Sequence, residues 1–188
     1  MKIALFGTSA DPPTAAHQTI LQWLADHYDQ VAVWASDNPF KKNQTPLSHR
    51  MTMLELLIGE MSHPVPNVRV YEQLSDRRSL NSLEKAKAIW GENSEYSLVI
   101  GSDLLEQICH WYRVQDLFKA VILLIVPRPG YEINAEQLKQ LEQLGGKYQI
   151  ADIDAPEISS TTYRINKDKT VITPPVKEYI HQQKLYVS

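Results

Sequence analysis

The sequence predicts an α/β fold, an open parallel sheet with helices on both faces. Three observations lead there. Short apolar runs without polar alternation, at residues 3–6, 31–35 and 120–126, have the composition of strands buried on both sides. Between them, apolar residues recur at helical spacing, as in Ile20, Leu21 and Leu24, or Met51, Leu54, Leu57, Ile58 and Met61. Polar clusters follow directly after the apolar runs, where parallel sheets present ligands at the carboxyl ends of their strands.

Taken in order, Met1–Phe6 reads as the first strand and Gly7–His17 as a tight loop. Gly7 lies where the backbone leaves the strand, and its missing Cβ would give a phosphate room to approach. Asp11-Pro12-Pro13 is a turn of fixed φ. A helix over residues 18–25 follows, and Thr14 and His17, three apart, would project from one face of its first turn. Val31–Ala35 is the second strand, residues 36–46 a polar loop carrying Lys41 and Lys42, and residues 48–61 a helix. Val68–Tyr71 and Leu80–Trp90 form the next strand and helix. Ser97–Ile100 is a strand running into Gly101-Ser102-Asp103, with a short helix before Trp111 and Tyr112. Residues 120–126, the longest apolar run, form a central strand stopped by Pro127-Arg128-Pro129-Gly130. Lys147–Ala151 is the last strand, with helices near Thr161 and from Val176 to Gln183. No repeat or linker divides the chain, so residues 1–188 read as a single domain.

Composition excludes several classes. Nineteen Lys and Arg against 22 Asp and Glu give a net charge of −3, so no basic field points to nucleic acid. The single cysteine, Cys109, forms no internal disulfide and fits a reducing compartment. No apolar run reaches membrane-spanning length and no leader is evident, so the expectation is a cytoplasmic protein with no membrane partner. The six histidines show no Cys/His ligand spacing, so no protein-held metal site is expected.

The loop Gly7-Thr8-Ser9-Ala10-Asp11-Pro12-Pro13-Thr14-Ala15-Ala16-His17 resembles the amino-terminal signature of the nucleotidyltransferase superfamily, in which Thr/His-x-Gly-His opens the first helix. Within it, the chain resembles the bacterial nicotinate-nucleotide adenylyltransferases, whose loop reads Gly-Gly-x-Phe-Asp-Pro-x-His-x-Gly-His. Gly7, Asp11, Pro12 and His17 match; Thr8 stands for a glycine, Ala10 for phenylalanine, Thr14 for the first histidine and Ala16 for a glycine. Ile158-Ser159-Ser160-Thr161-Thr162-Tyr163-Arg164 is similar to the superfamily's Ile-Ser-Ser-Thr-x-x-Arg at every specified position. Further partial matches are Asn38-Pro39-Phe40-Lys41-Lys42 to Pro-x-His-Lys, Ser79-Leu80-Asn81-Ser82 to Thr-Tyr-x-Thr, Gly101-x-Asp103 with Trp111 downstream, and Arg128-Pro129-Gly130. Phe40 stands where histidine is usual, and position favours Lys41 over Lys42 as the motif lysine.

The resemblance implies a Rossmann-like fold and adenylyl transfer from ATP to nicotinic acid mononucleotide, with magnesium carried on ATP. It implies catalytic roles for His17, Thr14 and Arg164. It assigns ATP contacts to Gly7, Thr8, Ser9, Asp11, Lys41, Lys42, Gly101, Asp103, Ile158, Ser159, Ser160 and Thr161. Mononucleotide contacts would fall to Ser79, Asn81, Ser82, Trp111, Tyr112 and Arg128. The residues by themselves leave alternatives open. Ser79 or Asn81 would cap a helix in any protein, and Trp111 and Tyr112 suit a core or its rim. A nicotinamide mononucleotide, dual-specificity or phosphopantetheine enzyme, or a binding module with reduced turnover, shares most of these features, and a homo-oligomer is compatible with all of them.

Overall fold

Strands that are apolar at nearly every position cannot leave either face in water, and the centre of the sheet shows the consequence. In a computed structural model describing residues 1–38 and 41–187, Ile3, Ala4 and Leu5 of β1 (Lys2–Thr8) are at most 1% exposed. Residues Pro39 and Phe40 of the lysine loop lie outside the described residues. β1 pairs in parallel with β2 (Gln30–Ala35) on one side and β4 (Glu95–Gly101) on the other. β3 (Val68–Val70) extends the sheet beyond β2, while β5 (Ile122–Val126) and β6 (Lys147–Ile150) extend it beyond β4. The order is β3-β2-β1-β4-β5-β6. The order in which successive strands are added therefore reverses between the parallel neighbours β1 and β4, which opens a crevice at their carboxyl ends.

The helices cover this sheet as the alternation predicts. α1 (Ala15–His27) packs on β2 and α2 (Leu47–Gly59), and α2 also meets β3 and α8 (Pro174–Gln182). A separate group forms where α3 (Ser79–Trp90) meets α5 (Val114–Ala120). The short α4 (Leu105–Ile108) follows β4, α6 (Ala135–Gln143) joins β5 to β6, and α7 (Ser160–Asn166) lies near the end. The architecture is the open α/β, Rossmann-like sheet that the sequence predicts. Among the described residues, no helix is long and apolar enough to cross a membrane.

Several boundaries differ from the sequence reading, for local reasons. The sequence reading leaves out α5, a seven-residue helix that buries Val114, Leu117 and Phe118, and α6, in which only Leu141 is buried and which starts on an Asn134/Gln137 capping box. β5 begins at Ile122 because Ala120 ends α5. α1 begins at Ala15, ahead of the first apolar residue of its pattern. Gly7 is not the exit from β1 but part of it, paired with Trp34. The place of its missing Cβ is taken by the indole: a Cβ there would lie 2.8 Å from Trp34 Nε1 and Cε2. The glycine thus serves core packing.

Gly7→Ala is expected to destabilise the fold by about 1–3 kcal/mol through overpacking against Trp34. Adding Trp34→Phe should restore part of the loss. The urea midpoint, at unchanged slope, measures both changes.

Candidate functional site

α1 starts where β1 delivers the chain to the crevice, so its first turn faces the β1/β4 gap. His17 is held there by both ring nitrogens. The Thr14 backbone N–H donates to Nδ1 at 3.0 Å, with the Thr14 hydroxyl 3.1 Å from the same nitrogen. A backbone amide can only donate, so Nδ1 is an acceptor and the neutral ring carries its proton on Nε2. That Nε2–H points to Thr8 Oγ1 at 3.0 Å. Thr14 is wholly buried as the N-cap residue of α1. Its side chain lies directly against the His17 ring. Burial, then the positive charges of Arg128 and Lys41, lower the His17 pKa to about 4. At neutral pH the ring is an uncharged N–H donor.

Cations surround this donor. Lys41 reaches back from the loop after β2, and its ammonium donates to Ser9 Oγ at 2.8 Å. Burial and the neighbouring Arg164 depress its pKa, while Asp11 and Asp103 oppose the shift. Lys42 stays exposed. Arg128, after β5, donates to Asp103 Oδ2 at 3.0 Å, and its backbone N–H donates to Ser102 Oγ at 2.8 Å. Gly101 makes this pairing feasible, since a Cβ at that position would run into the Asp103 carboxylate and lie 2.8 Å from Arg128 Cδ. From α7, Arg164 donates to the Asp11 carbonyl at 2.5 Å and to Thr161 Oγ1 at 3.1 Å. Ser160 donates to the Pro12 carbonyl at 2.7 Å, while Ser159 caps the helix by accepting from Thr162 N–H at 3.0 Å. Ile158 packs against the core just before it.

The remaining sequence candidates lie along α3 and the segment after α4. Ser79 is the first residue of α3. Asn81 Nδ2 donates to Asp76 Oδ1 at 3.0 Å, and the buried Ser82 hydroxyl donates to the Leu74 carbonyl at 2.6 Å. Asn81 and Asp76 border an open cavity of about 440 Å³ with Asp37, Leu47, Ser75 and Arg78. The Arg78 guanidinium sits 4.0 Å over the Tyr112 ring, tying this cavity's edge to the aromatic pair. Trp111 is half-buried against the core, Tyr112 is 48% exposed, and Arg113 is turned to Asp116 at 2.7 Å.

Residues 5–166 match the model of the cytidylyltransferase-like family. The chain belongs to that family. Within it, the chain groups with the nicotinate-nucleotide adenylyltransferases: it is 51% identical, over 99% of both chains, to the protein of Synechocystis sp. named a probable nicotinate-nucleotide adenylyltransferase. It is 27% identical to the Bacillus subtilis nicotinate-nucleotide adenylyltransferase over all of this chain and 99% of that one. In fold it resembles the Plasmodium falciparum nicotinic acid mononucleotide adenylyltransferase complexed with NaAD. The TM-score is 0.84 at 24% identity, covering 98% of this chain and 97% of that one.

Two residues of this cytidylyltransferase-like site were not apparent in the sequence. Arg50, 2% exposed, donates to the carbonyls of Thr45, Ser9 and Ser36 at 2.7, 3.0 and 2.8 Å, joining the two crevice loops. Its place on the apolar face of α2, four before Leu54, was the available signal. Tyr186 donates its hydroxyl to Asp11 Oδ1 at 2.6 Å across 175 positions of sequence, and no local pattern marks it.

The depressed His17 pKa sets a pH dependence. In the unfolded chain an ordinary histidine, near 6.5, takes up its proton first, so stability is full above that pH and declines as pH falls toward about 4. His17→Gln should flatten the stability profile across that window, and a nitrogen-15 titration of His17 should show the Nε2–H neutral form down to about pH 5.

Proposed function

We propose that this chain, acting as a single nucleotidyltransferase domain, transfers the adenylyl group of ATP to nicotinic acid mononucleotide. The products are deamido-NAD and pyrophosphate. The observation that carries the reading is a neutral N–H donor beside Lys41 and Arg128, with Arg164 next to Lys41, in a chain half identical from end to end to a protein named for this reaction.

The mononucleotide phosphate is already a nucleophile, so no enzyme-bound intermediate is required. Its oxygen attacks the α-phosphorus of ATP, the new O–P bond forms, and the bond from the α-phosphorus to the bridging oxygen breaks to release pyrophosphate. What the protein supplies is alignment and charge stabilisation. His17 Nε2–H, held in its tautomer by the Thr14 amide, exchanges Thr8 for an α-phosphate oxygen. Lys41 and the unused N–H groups of Arg164 face the β- and γ-phosphates, aided by the Ser160 and Thr161 hydroxyls. Asp103 accepts from a ribose hydroxyl, and Trp111 offers a face to the pyridine ring. In this reading magnesium would enter on ATP, where it would offset phosphate charge.

Turnover of ATP with each mononucleotide, followed by pyrophosphate release, tests the reading. The acid form should be preferred over the amide by at least about ten-fold in kcat/KM, the scale of one mispaired polar group. Equal rates would assign the chain to dual specificity, and no release with either would refute adenylyl transfer.

His17→Ala should lose roughly 10²–10³-fold in kcat while its melting temperature falls only a few degrees. Arg164→Ala should raise KM for ATP and weaken inhibition by pyrophosphate, with Arg164→Lys restoring part of each because the forked geometry is lost. Unchanged pyrophosphate inhibition would place that group elsewhere.

A further inference from the structure

Asp11 is an awkward residue for a polyanion site. Its carboxylate is 5% exposed and sits in the loop that must admit the triphosphate, among Lys41, Arg50 and Arg164. A carboxylate free to turn would pair with those cations and compete with phosphate for them. Instead, both of its oxygens are taken by uncharged donors: the Thr45 backbone N–H reaches Oδ2 at 3.2 Å, and the Tyr186 hydroxyl reaches Oδ1 at 2.6 Å.

Tyr186 itself is pinned. Lys167 Nζ donates to its carbonyl at 2.6 Å, and its ring meets Tyr163 edge-on at 5.8 Å. The turn that delivers it closes with Leu185 N–H on the Ile180 carbonyl at 3.0 Å and places Lys184 and Tyr186 at φ 52° and 57°. Desolvation and the adjacent carboxylate raise its pKa, so the hydroxyl remains a donor throughout the working range.

We infer that Tyr186, from the carboxyl-terminal tail, is a positioning residue that holds the Asp11 carboxylate off the cations that receive the triphosphate. The inference rests on the adenylyltransferase reading for what those cations bind. It does not depend on which mononucleotide is used. Tyr186 touches no reacting atom; it acts through Asp11 by keeping Lys41 and Arg164 unneutralised. A tail that only braced the fold would change stability without selecting one ligand.

The experiment compares full-length Tyr186→Phe with wild type by calorimetric ATP binding and by steady-state kinetics. Removing one charge-assisted bond should weaken ATP binding about ten-fold and raise its KM in parallel. The mononucleotide KM should hold within about two-fold, and the melting temperature within a few degrees. In an Asp11→Ala background there is no carboxylate to release, so Tyr186→Phe should add less than about two-fold. Lys167→Ala, which loosens the tail from the surface, should shift ATP affinity the same way by a smaller factor and decides the matter if Tyr186→Phe does not fold. Unchanged ATP affinity, an equal loss in the Asp11→Ala background, or a loss shared by both substrates would overturn the inference. Wild-type protein that binds ATP but turns over neither mononucleotide would instead overturn the functional reading, while the ATP titrations would still test Tyr186.

Discussion

The crevice depends on a loop that cannot hold its own shape. Between β1 and α1, residues 9–14 form no helix or strand, yet they carry the backbone across the crevice to His17. Buried backbone groups in such a segment need partners from elsewhere. They come from remote parts of the chain: Arg50 on α2 binds the Ser9 carbonyl, Arg164 and Ser160 on α7 bind those of Asp11 and Pro12, and Tyr186 binds the Asp11 side chain. Sheet order brings these parts within reach, because β1 lies at the reversal point and the chain's last helices return to the same end.

That construction explains the site's charge pattern. The cations are held by carbonyls, a hydroxyl or a single carboxylate, so their charge is largely retained for a ligand. Arg128 is paired with Asp103, but Arg164 meets a carbonyl and a hydroxyl, and Lys41 meets the Ser9 hydroxyl. The same positive surroundings, with burial, keep His17 neutral. A neutral donor can then move its hydrogen bond from Thr8 to an incoming oxygen without first losing a proton.

The departures from the family loop take on a structural meaning here. Thr8, where a glycine is usual, supplies the hydroxyl that occupies His17 Nε2. Thr14, where a histidine is usual, is a buried N-cap residue that fixes the other nitrogen. Ala10, in place of a phenylalanine, is itself buried with φ 44°. Thr8 and Thr14 thus hold one histidine by both of its ring nitrogens.

The sequence by itself determined the sheet, because strands apolar on both faces can be stable only between layers of helix, and that pattern is local. It also marked the segments that meet at the crevice: the loop ending at His17, the lysines after β2, Gly101 to Asp103, and the serine-rich start of α7. α5 and α6 escaped that reading because α5 spans only seven residues and α6 buries only Leu141, so each offers too few apolar positions to stand out. Only the tertiary structure decided what each marked residue touches. It turned Thr14 inward and gave Gly7 to the Trp34 indole, and it bonded Ser82 to the Leu74 carbonyl. It also brought in Arg50 and Tyr186. Their partners are loop carbonyls and a carboxylate up to 175 positions away, and contacts of that kind leave no periodic trace along a chain.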